Sequence, residues 1–149
     1  MADTRELYQQ VIIDHSKKPR NFHELEHPTC SAEGSNPLCG DNYQVYVEID
    51  DGILKDVSFT GSGCAISKAS GSLMTSFVKG KTIDEIDRLF HEFHDMVTSD
   101  ISKEVYTGSL GKLAVFSGVR EFPLRVKCAT LPWHALYAAI HGESETSSE

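Results

Sequence analysis

Residues 41–64, DNYQVYVEIDDGILKDVSFTGSGC, decide the fold of this chain. After the first two positions, apolar and polar residues alternate with the period of a half-buried strand. Asp51-Gly52 then makes a tight turn, and a second strand, Ile53–Thr60, carries its apolar residues on one side. The stretch therefore predicts an antiparallel β-hairpin that passes, through a Gly-Ser-Gly-Cys junction, into a helix.

Apolar residues at helical spacing predict helices on both sides of the hairpin. The first helix contains Leu7 and ends before Pro19, and the second begins near Ile66 and closes at Gly80. Thr82–Glu85 is a capping box, in which the threonine side chain and the glutamate side chain satisfy the first backbone N–H groups of a third helix.

The later part of the chain predicts one weaker helix and one clear one. Residues 95–118 are ambiguous, with a short helix between two glycine turns. The last helix begins near Cys128, which would place Pro132 in its first turn, where proline is tolerated. Before the hairpin, residues 21–41 are rich in glycine and proline and show little periodicity, which predicts a loop of a length that usually serves function.

Strands early in the chain and helices late predict an α+β fold, with one small antiparallel sheet covered by helices on one face. The length of 149 residues suits one hydrophobic core. We expect a single domain over residues 1–142 and a disordered acidic tail over residues 143–149, because the tail is too polar to pack.

Composition excludes several classes of partner. The 22 acidic residues outnumber the 14 Lys and Arg residues, and the formal net charge of −8 disfavours binding to nucleic acid. Mean hydropathy is −0.28, and no apolar run is long enough to cross a bilayer. The polar first residues do not resemble a secretory signal, so we expect a cytoplasmic protein whose four cysteines are thiols.

Three of the four cysteines have neighbours that favour the thiolate. Cys39 precedes Gly40 and Asp41, Cys64 follows Gly-Ser-Gly at the start of a helix, and Cys128 lies three residues after Arg125. A helix N-terminus and nearby cations stabilise a thiolate. Their spacing alone is a weak signal, since a single free cysteine is more often a small buried apolar residue.

If these cysteines converge with Asp41, their four ligands suit a tetrahedral Zn²⁺ ion. Arg125 or Lys127 could offset the negative charge of such a site. The same soft donors suit an iron-sulfur cluster, with the aspartate at a labile position. The residues by themselves leave both metals open, together with a purely structural zinc module.

Two other groups are weaker candidates. Cys30 forms a His-x-x-Cys pair with His27, but a loop thiol is the simpler interpretation. His91 and His94 are three residues apart on a predicted helix and could bind a metal weakly, although a polar helix edge is favoured. We therefore expect Cys30 to be dispensable.

Three separated motifs resemble the U-type iron-sulfur cluster assembly family. They are residues 36–41 (NPLCGD), 61–67 (GSGCAIS) and 125–131 (RVKCATL), and residues 19–22 (PRNF) match as well. The resemblance implies an α+β, IscU-like fold with a three-stranded antiparallel sheet. It also implies a metal site formed by Cys39, Asp41, Cys64 and Cys128.

Within that family the chain is most similar to the SufU branch, because Lys127 stands where scaffold proteins of the IscU type usually have histidine before the third cysteine. The resemblance implies a zinc-dependent sulfurtransferase in which Cys39 accepts persulfide sulfur from a pyridoxal-phosphate-dependent cysteine desulfurase, with downstream iron-sulfur assembly proteins as further partners. Arg125 would stabilise the loaded persulfide. The alternative is a scaffold on which a [2Fe-2S] cluster forms and passes to apo-proteins.

Overall fold

One sheet and four α-helices make up the part of the chain that the computed structural model describes, residues 4–37, 40–100, 110–143 and 145–147. The α+β prediction is confirmed. In chain order the elements are α1 (Thr4–Lys17), β1 (Cys30–Asn36), β2 (Asp41–Asp50), β3 (Ile53–Ser62), α2 (Ala65–Val78), α3 (Ile83–Thr98), a 3₁₀ helix (Gly111–Glu121), α4 (Pro123–Ile140) and β4 (Glu145–Ser147).

The predicted hairpin is confirmed as the antiparallel pair β2 and β3. Val45 pairs with Phe59 and Val47 with Val57 across it, and all four side chains are fully buried. The turn has positive φ at both central residues, 54° at Asp51 and 73° at Gly52. Such a turn matches the right-handed twist of the two strands that it joins.

The sequence prediction of a loop throughout residues 21–41 is wrong for β1, which pairs antiparallel with β2. Its inward-facing positions are Ala32, Gly34 and Asn36, so small and polar residues replace the apolar ones that would have shown a strand period. Position 34 favours glycine because a Cβ there would lie only 3.2 Å from Leu131 Cδ1 and from Ala135 Cβ. Helix α4 therefore packs directly on the backbone of β1.

A short strand, β4, lies within the segment predicted to be a disordered tail. Its backbone pairs in parallel with the outer edge of β1, with Glu33 opposite Glu145. An edge strand offers unpaired N–H and C=O groups to any nearby backbone, and β4 pairs with these groups of β1. The three antiparallel strands and β4 form one sheet in the order β3-β2-β1-β4.

Helices α2 and α3 form as predicted. Cys64 is the N-cap residue of α2, and Gly80 ends the helical segment with φ of 88°. The capping box of α3 is complete, since Thr82 Oγ1 accepts from the backbone N–H of Glu85 and the Glu85 side chain accepts from that of Thr82. The short helix predicted between glycine turns corresponds to the 3₁₀ helix, and residues 101–109 lie outside the described residues.

The prediction that the last helix begins near Cys128 is wrong. Helix α4 begins at Pro123, whose missing N–H costs nothing in a first turn, so Cys128 lies in the second turn and Pro132 inside the helix. Pro132 cannot donate to the carbonyl of Cys128, four residues earlier. Ser70 Oγ donates to the adjacent carbonyl of Ala129 at 2.5 Å, so a side chain from α2 bonds the backbone where the proline interrupts it.

His15 connects α1 to α2 and should make stability depend on pH. It is 8% exposed, and its Nδ1 lies 2.7 Å from Ser72 Oγ. Burial lowers the pKa of His15 below its ordinary value, Arg20 lowers it further and Asp14 opposes them. The unfolded state therefore binds a proton on this histidine at a higher pH than the folded state does. The contribution of neutral His15 to the free energy of unfolding is fully present above about pH 6.5 and falls as the pH drops towards the folded-state pKa.

We therefore expect the free energy of unfolding to fall more between about pH 7.5 and 5.5 in the wild-type chain than in His15→Gln. Urea unfolding with a chelator present measures it without a contribution from bound metal. Equal losses in the two proteins would show that His15 does not carry this pH dependence.

Candidate metal centre

Three potential metal ligands from three elements converge at one end of the sheet. One ligand atom each from Asp41, Cys64 and Cys128 lies within 4.8 Å of the other two. Asp41 is the first residue of β2, Cys64 caps α2, and Cys128 lies on α4. Among the described residues this is the one group of three or more such side chains that could hold a metal.

Asp41 is held in place by the start of α2. It is 2% exposed, and its Oδ1 accepts a hydrogen bond from the backbone N–H of Cys64 at 3.0 Å. Its Oδ2 lies 4.0 Å from Cys64 Sγ. A carboxylate beside the N-terminus of a helix is favoured by the helix dipole and by the unpaired N–H groups there. One carboxylate oxygen therefore faces α2, and the other faces the thiol.

The hydroxyl of Ser67 orients Cys64, and the hydroxyl of Tyr43 in turn holds Ser67; sequence reasoning did not identify either as part of the site. Ser67 Oγ donates to the Cys64 carbonyl at 3.0 Å and lies 3.6 Å from Cys64 Sγ. Tyr43 OH lies 2.9 Å from Ser67 Oγ. Burial raises the pKa of Tyr43, so its hydroxyl stays protonated. The pattern of β2 marks Tyr43 as a core residue, and nothing in it shows that the hydroxyl reaches α2.

Gly63 allows these groups to come so close together. A Cβ on Gly63 would lie 2.7 Å from both Ser67 Oγ and Tyr43 OH, and it would also collide with Asp41 Oδ1. Any larger residue would push the carboxylate and the hydroxyls apart. The glycine before Cys64 is therefore required by close approach of the side chains from β2 and α2.

Arg125 lies beside both cysteines. It is three residues before Cys128, nearly one helical turn, and thus shares a face of α4 with it. The charge of the Cys64 thiolate raises the pKa of Arg125, and a hydrogen bond to Cys128 raises it further. Cys128 itself is fully buried. Arg125 therefore places a positive charge beside the two thiols and the carboxylate that could hold a metal.

Cys39, the predicted sulfur acceptor, lies outside the described residues, and its role stays a prediction. The residues around it are described: Gly40 has φ of 73°, and its N–H donates to the Asn36 carbonyl at 2.9 Å. Asn36 and Asp41 are paired across β1 and β2. The connection between these strands therefore begins and ends at the end of the sheet where Asp41 lies.

The weaker candidates lie elsewhere. Cys30 begins β1, opposite Val47, at the other end of the strand from Asn36. His91 and His94 pack around the ring of Phe90 on α3. They therefore contribute to an aromatic cluster, and neither belongs to the group of three ligands described above.

The three described ligands fit a zinc ion. Ligand atoms around a tetrahedral zinc lie roughly 3.3–3.8 Å apart, so a closing movement of about 1 Å would complete the geometry. Two thiolates and a carboxylate against Zn²⁺ leave one net negative charge, which Arg125 can offset. Three protein ligands leave a fourth position for another ligand. Thiolate donors of this kind also suit an iron-sulfur cluster.

A groove with a volume of about 890 Å³ adjoins the site. Arg125 both lines the groove and interacts with the thiols, so the groove and the candidate site share this residue. The other groove residues include Tyr8, Ile12, Ile66, Val119 and Phe122.

The helices in the described part of the chain include none that is long and apolar enough to cross a membrane.

Comparison with known proteins agrees with this architecture. The chain is 41% identical to the zinc-dependent sulfurtransferase SufU of Bacillus subtilis over 95% of each chain. It is 37% identical to the iron-sulfur cluster assembly scaffold protein IscU of Streptococcus pyogenes, covering 94% of this chain and 86% of that one. A crystal structure from Fervidobacterium islandicum, described as an iron-sulfur cluster assembly scaffold protein for the SUF system, superposes with a TM-score of 0.82 at 34% identity, covering 93% and 99% of the two chains. The model of the NifU-like N-terminal domain matches residues 7–129, and the chain belongs to that family.

Proposed function

We propose that this protein acts in iron-sulfur cluster biogenesis as a zinc-dependent sulfurtransferase that receives sulfur on Cys39 from a cysteine desulfurase. The observation that carries the proposal is the group of Asp41, Cys64 and Cys128, with Arg125 beside the two thiols. This donor set suits zinc and leaves one position for a ligand from the neighbouring β1–β2 connection. The SufU relative, which is named a zinc-dependent sulfurtransferase, supports the same role.

The transfer is a thiol–disulfide exchange. The Cys39 thiolate attacks the outer sulfur of a persulfide on the desulfurase, a new S–S bond forms on Cys39, and the bond to the desulfurase cysteine breaks. The desulfurase cysteine leaves as a thiolate, so charge and electrons balance without any external oxidant. When bound, zinc would hold Asp41, Cys64 and Cys128 and keep thiols deprotonated without redox chemistry of its own.

The described residues have separate tasks in this reaction. Asp41 is positioned by the N–H of Cys64, and Ser67 holds the Cys64 carbonyl while its own hydroxyl contacts Tyr43. Arg125 stabilises anionic sulfur in the site through its charge and its N–H donors. The pyridoxal-phosphate-dependent desulfurase would supply the persulfide, and downstream assembly proteins would remove the sulfur.

Metal content measured together with persulfide trapping tests the proposal. We expect anaerobically purified protein to hold one zinc per chain, and we expect desulfurase and cysteine to place a trappable persulfide on Cys39. The four single Cys→Ser variants locate it. Bound iron and sulfide with visible absorption would instead support a [2Fe-2S] scaffold. If the chain unfolds when the metal is removed and no thiol accepts sulfur, the metal centre would be a structural zinc site without a role in sulfur transfer.

Arg125→Gln should lower the rate of sulfur transfer by about tenfold while leaving zinc bound, because outer groups around a metal site typically contribute 10–100-fold. The neutral side chain keeps hydrogen-bond donors but loses the charge beside Cys64 and Cys128. Single-turnover reactions that are quenched at successive times measure the rate of sulfur transfer. Arg88→Gln on α3 is the control for loss of one arginine charge. Equal rates for Arg125→Gln and Arg88→Gln would remove Arg125 from the reaction.

A further inference from the structure

The hydroxyl of Ser67 lies between a potential metal ligand and a buried tyrosine. Ser67 is 0% exposed, and its Oγ donates to the Cys64 carbonyl at 3.0 Å. A serine hydroxyl has one proton to donate and two lone pairs that accept. Since that proton is already used on the carbonyl, the Tyr43 O–H donates to Ser67 Oγ, from which it lies 2.9 Å away. The hydrogen bonds therefore run from Tyr43 to Ser67 and from Ser67 to Cys64.

The Ser67 oxygen also contacts the sulfur of Cys64. Cys64 Sγ lies 3.6 Å from Ser67 Oγ, and in the thiol form the S–H donates to that oxygen. A cysteine that binds a metal is a thiolate, which has no proton and only accepts. The contact with sulfur is therefore kept in the metal-bound chain only if the serine proton turns from the carbonyl to the sulfur.

The Cys64 carbonyl can give up this proton and still keep a partner. The backbone N–H of Lys68 donates to the same carbonyl at 3.1 Å, as the first hydrogen bond within α2. Ser67 Oγ accepts from Tyr43 in either arrangement. A hydroxyl that accepts a hydrogen bond is also a stronger donor, because neighbouring hydrogen bonds polarise each other. Tyr43 would therefore strengthen a bond from Ser67 to the sulfur.

Tyr43 is within electrostatic reach of the potential ligands, although its own hydroxyl contacts Ser67. Burial raises the pKa of Tyr43, the hydrogen bond with Ser67 opposes this, and the charges of Asp41 and the two cysteines raise the pKa further. A Cβ added at Gly63 would lie 2.7 Å from both Tyr43 OH and Ser67 Oγ. The two hydroxyls are thus packed against the backbone that leads into Cys64.

We propose that Tyr43 and Ser67 are positioning residues that form a hydroxyl relay to the sulfur of Cys64 in the metal-bound chain. The Tyr43 O–H donates to Ser67 Oγ, and the Ser67 O–H donates to the Cys64 thiolate. The relay stabilises the negative charge on this sulfur and fixes its direction, which tightens metal binding. This inference rests on the candidate metal centre and needs no step of sulfur transfer.

Cobalt in place of zinc tests the relay, since Co²⁺ bound by thiolates absorbs visible and near-ultraviolet light. A hydrogen bond to a thiolate lowers the energy of the sulfur electrons, so its loss moves the sulfur-to-cobalt charge-transfer band to longer wavelength. We expect this red shift in Ser67→Ala, together with cobalt binding that is weaker by about tenfold. A loss of stability with unchanged cobalt spectrum and affinity would show a purely structural role and overturn the proposal.

Tyr43→Phe removes only the hydroxyl and keeps the ring that packs against Phe59. We expect a smaller red shift and about threefold weaker cobalt binding, because the loss of one neutral hydrogen bond reaches the sulfur through Ser67. Wild-type cobalt binding and spectrum in Tyr43→Phe would overturn the relay. This variant keeps the proposal open to refutation if Ser67→Ala does not fold.

A double-mutant cycle tests whether the two hydroxyls act in series. If Tyr43 acts through Ser67, Tyr43→Phe should have no further effect on cobalt binding in a Ser67→Ala background. Equal effects of Tyr43→Phe in the wild-type and Ser67→Ala backgrounds would overturn the relay.

Two variants are matched controls. Tyr46→Phe removes a hydroxyl from the same strand, but Tyr46 alternates with Tyr43 to the other face of the sheet and its OH lies 3.2 Å from Thr60 Oγ1. Ser72→Ala removes a buried serine hydroxyl from α2 that contacts His15 on α1. Both should keep the wild-type cobalt spectrum and affinity, even where stability is lower. A red shift in these controls equal to that in the relay variants would overturn the proposal.

Sulfur acceptance by the same proteins is measured separately. A wild-type chain that binds no cobalt would overturn the relay. A chain that binds cobalt and shows the effects of Ser67→Ala and Tyr43→Phe but accepts no sulfur would refute the proposed function and leave the relay intact.

Discussion

Cys39→Ala should reduce sulfur acceptance to background, a loss of at least about 100-fold, because alanine has no sulfur to attack the persulfide. Asp41, Cys64 and Cys128 would remain as the three proposed zinc ligands, so the variant should keep zinc, although more weakly. The measurement is cysteine turnover by the desulfurase with the variant as sulfur acceptor. Zinc content measured in parallel separates loss of the acceptor from loss of the metal.

Cys30→Ala is the control for Cys39→Ala. Cys30 is a free thiol at the far end of β1, so its loss should leave both turnover and zinc content unchanged. Undiminished stimulation of the desulfurase by Cys39→Ala would contradict the acceptor role. Loss of stimulation in Cys30→Ala instead would assign the acceptor role to Cys30. That thiol lies at the end of β1 far from Asp41, so the result would contradict sulfur acceptance at the metal centre.

Cys128→Ser should weaken zinc binding by more than about 100-fold, the upper end of the range for groups that do not themselves touch the metal. Cys128 is fully buried on α4, and its thiolate would link that helix to β2 and α2 through the ion. Serine keeps the shape of the side chain but is a much poorer ligand for zinc. The variant should therefore fold and still lose metal.

Stability measured with and without metal checks this prediction. Zinc at 100 times its Kd stabilises a folded protein by about 2.7 kcal/mol. The wild-type chain should therefore lose thermal stability when a chelator is added, whereas Cys128→Ser should unfold at nearly the same temperature in both conditions. Cys30→Ser should behave like the wild type. One zinc per chain in purified Cys128→Ser would exclude Cys128 from the ligands.

Local patterns predicted the elements whose own residues stabilise them. The β2–β3 hairpin follows from alternation around Asp51-Gly52, and α3 follows from the capping box that begins at Thr82. Strand β1 escaped prediction because Ala32, Gly34 and Asn36 face inward, and small or polar residues carry no strand signal. Its inward face is shaped by α4, which is almost a hundred residues away in the chain.

The start of α4 was missed for a related reason. Proline can begin a helix at Pro123, but the local pattern tolerates Pro132 only in a first turn, which moves the predicted start to Cys128. In the folded chain α4 contains Pro132 because tertiary packing stabilises it, including the bond from Ser70 to the Ala129 carbonyl. Packing energy from neighbouring elements outweighs the local cost of the proline.

The sequence by itself determined which residues have the chemistry of the site, because thiols beside glycines, an aspartate and an arginine are properties of short segments. Only the tertiary structure decided that Asp41, Cys64 and Cys128 meet and that Tyr43 and Ser67 support Cys64. The physical reason is that the distances between these groups are set by strand register and by the packing of α2 and α4 on the sheet. Neither depends on spacing along the chain.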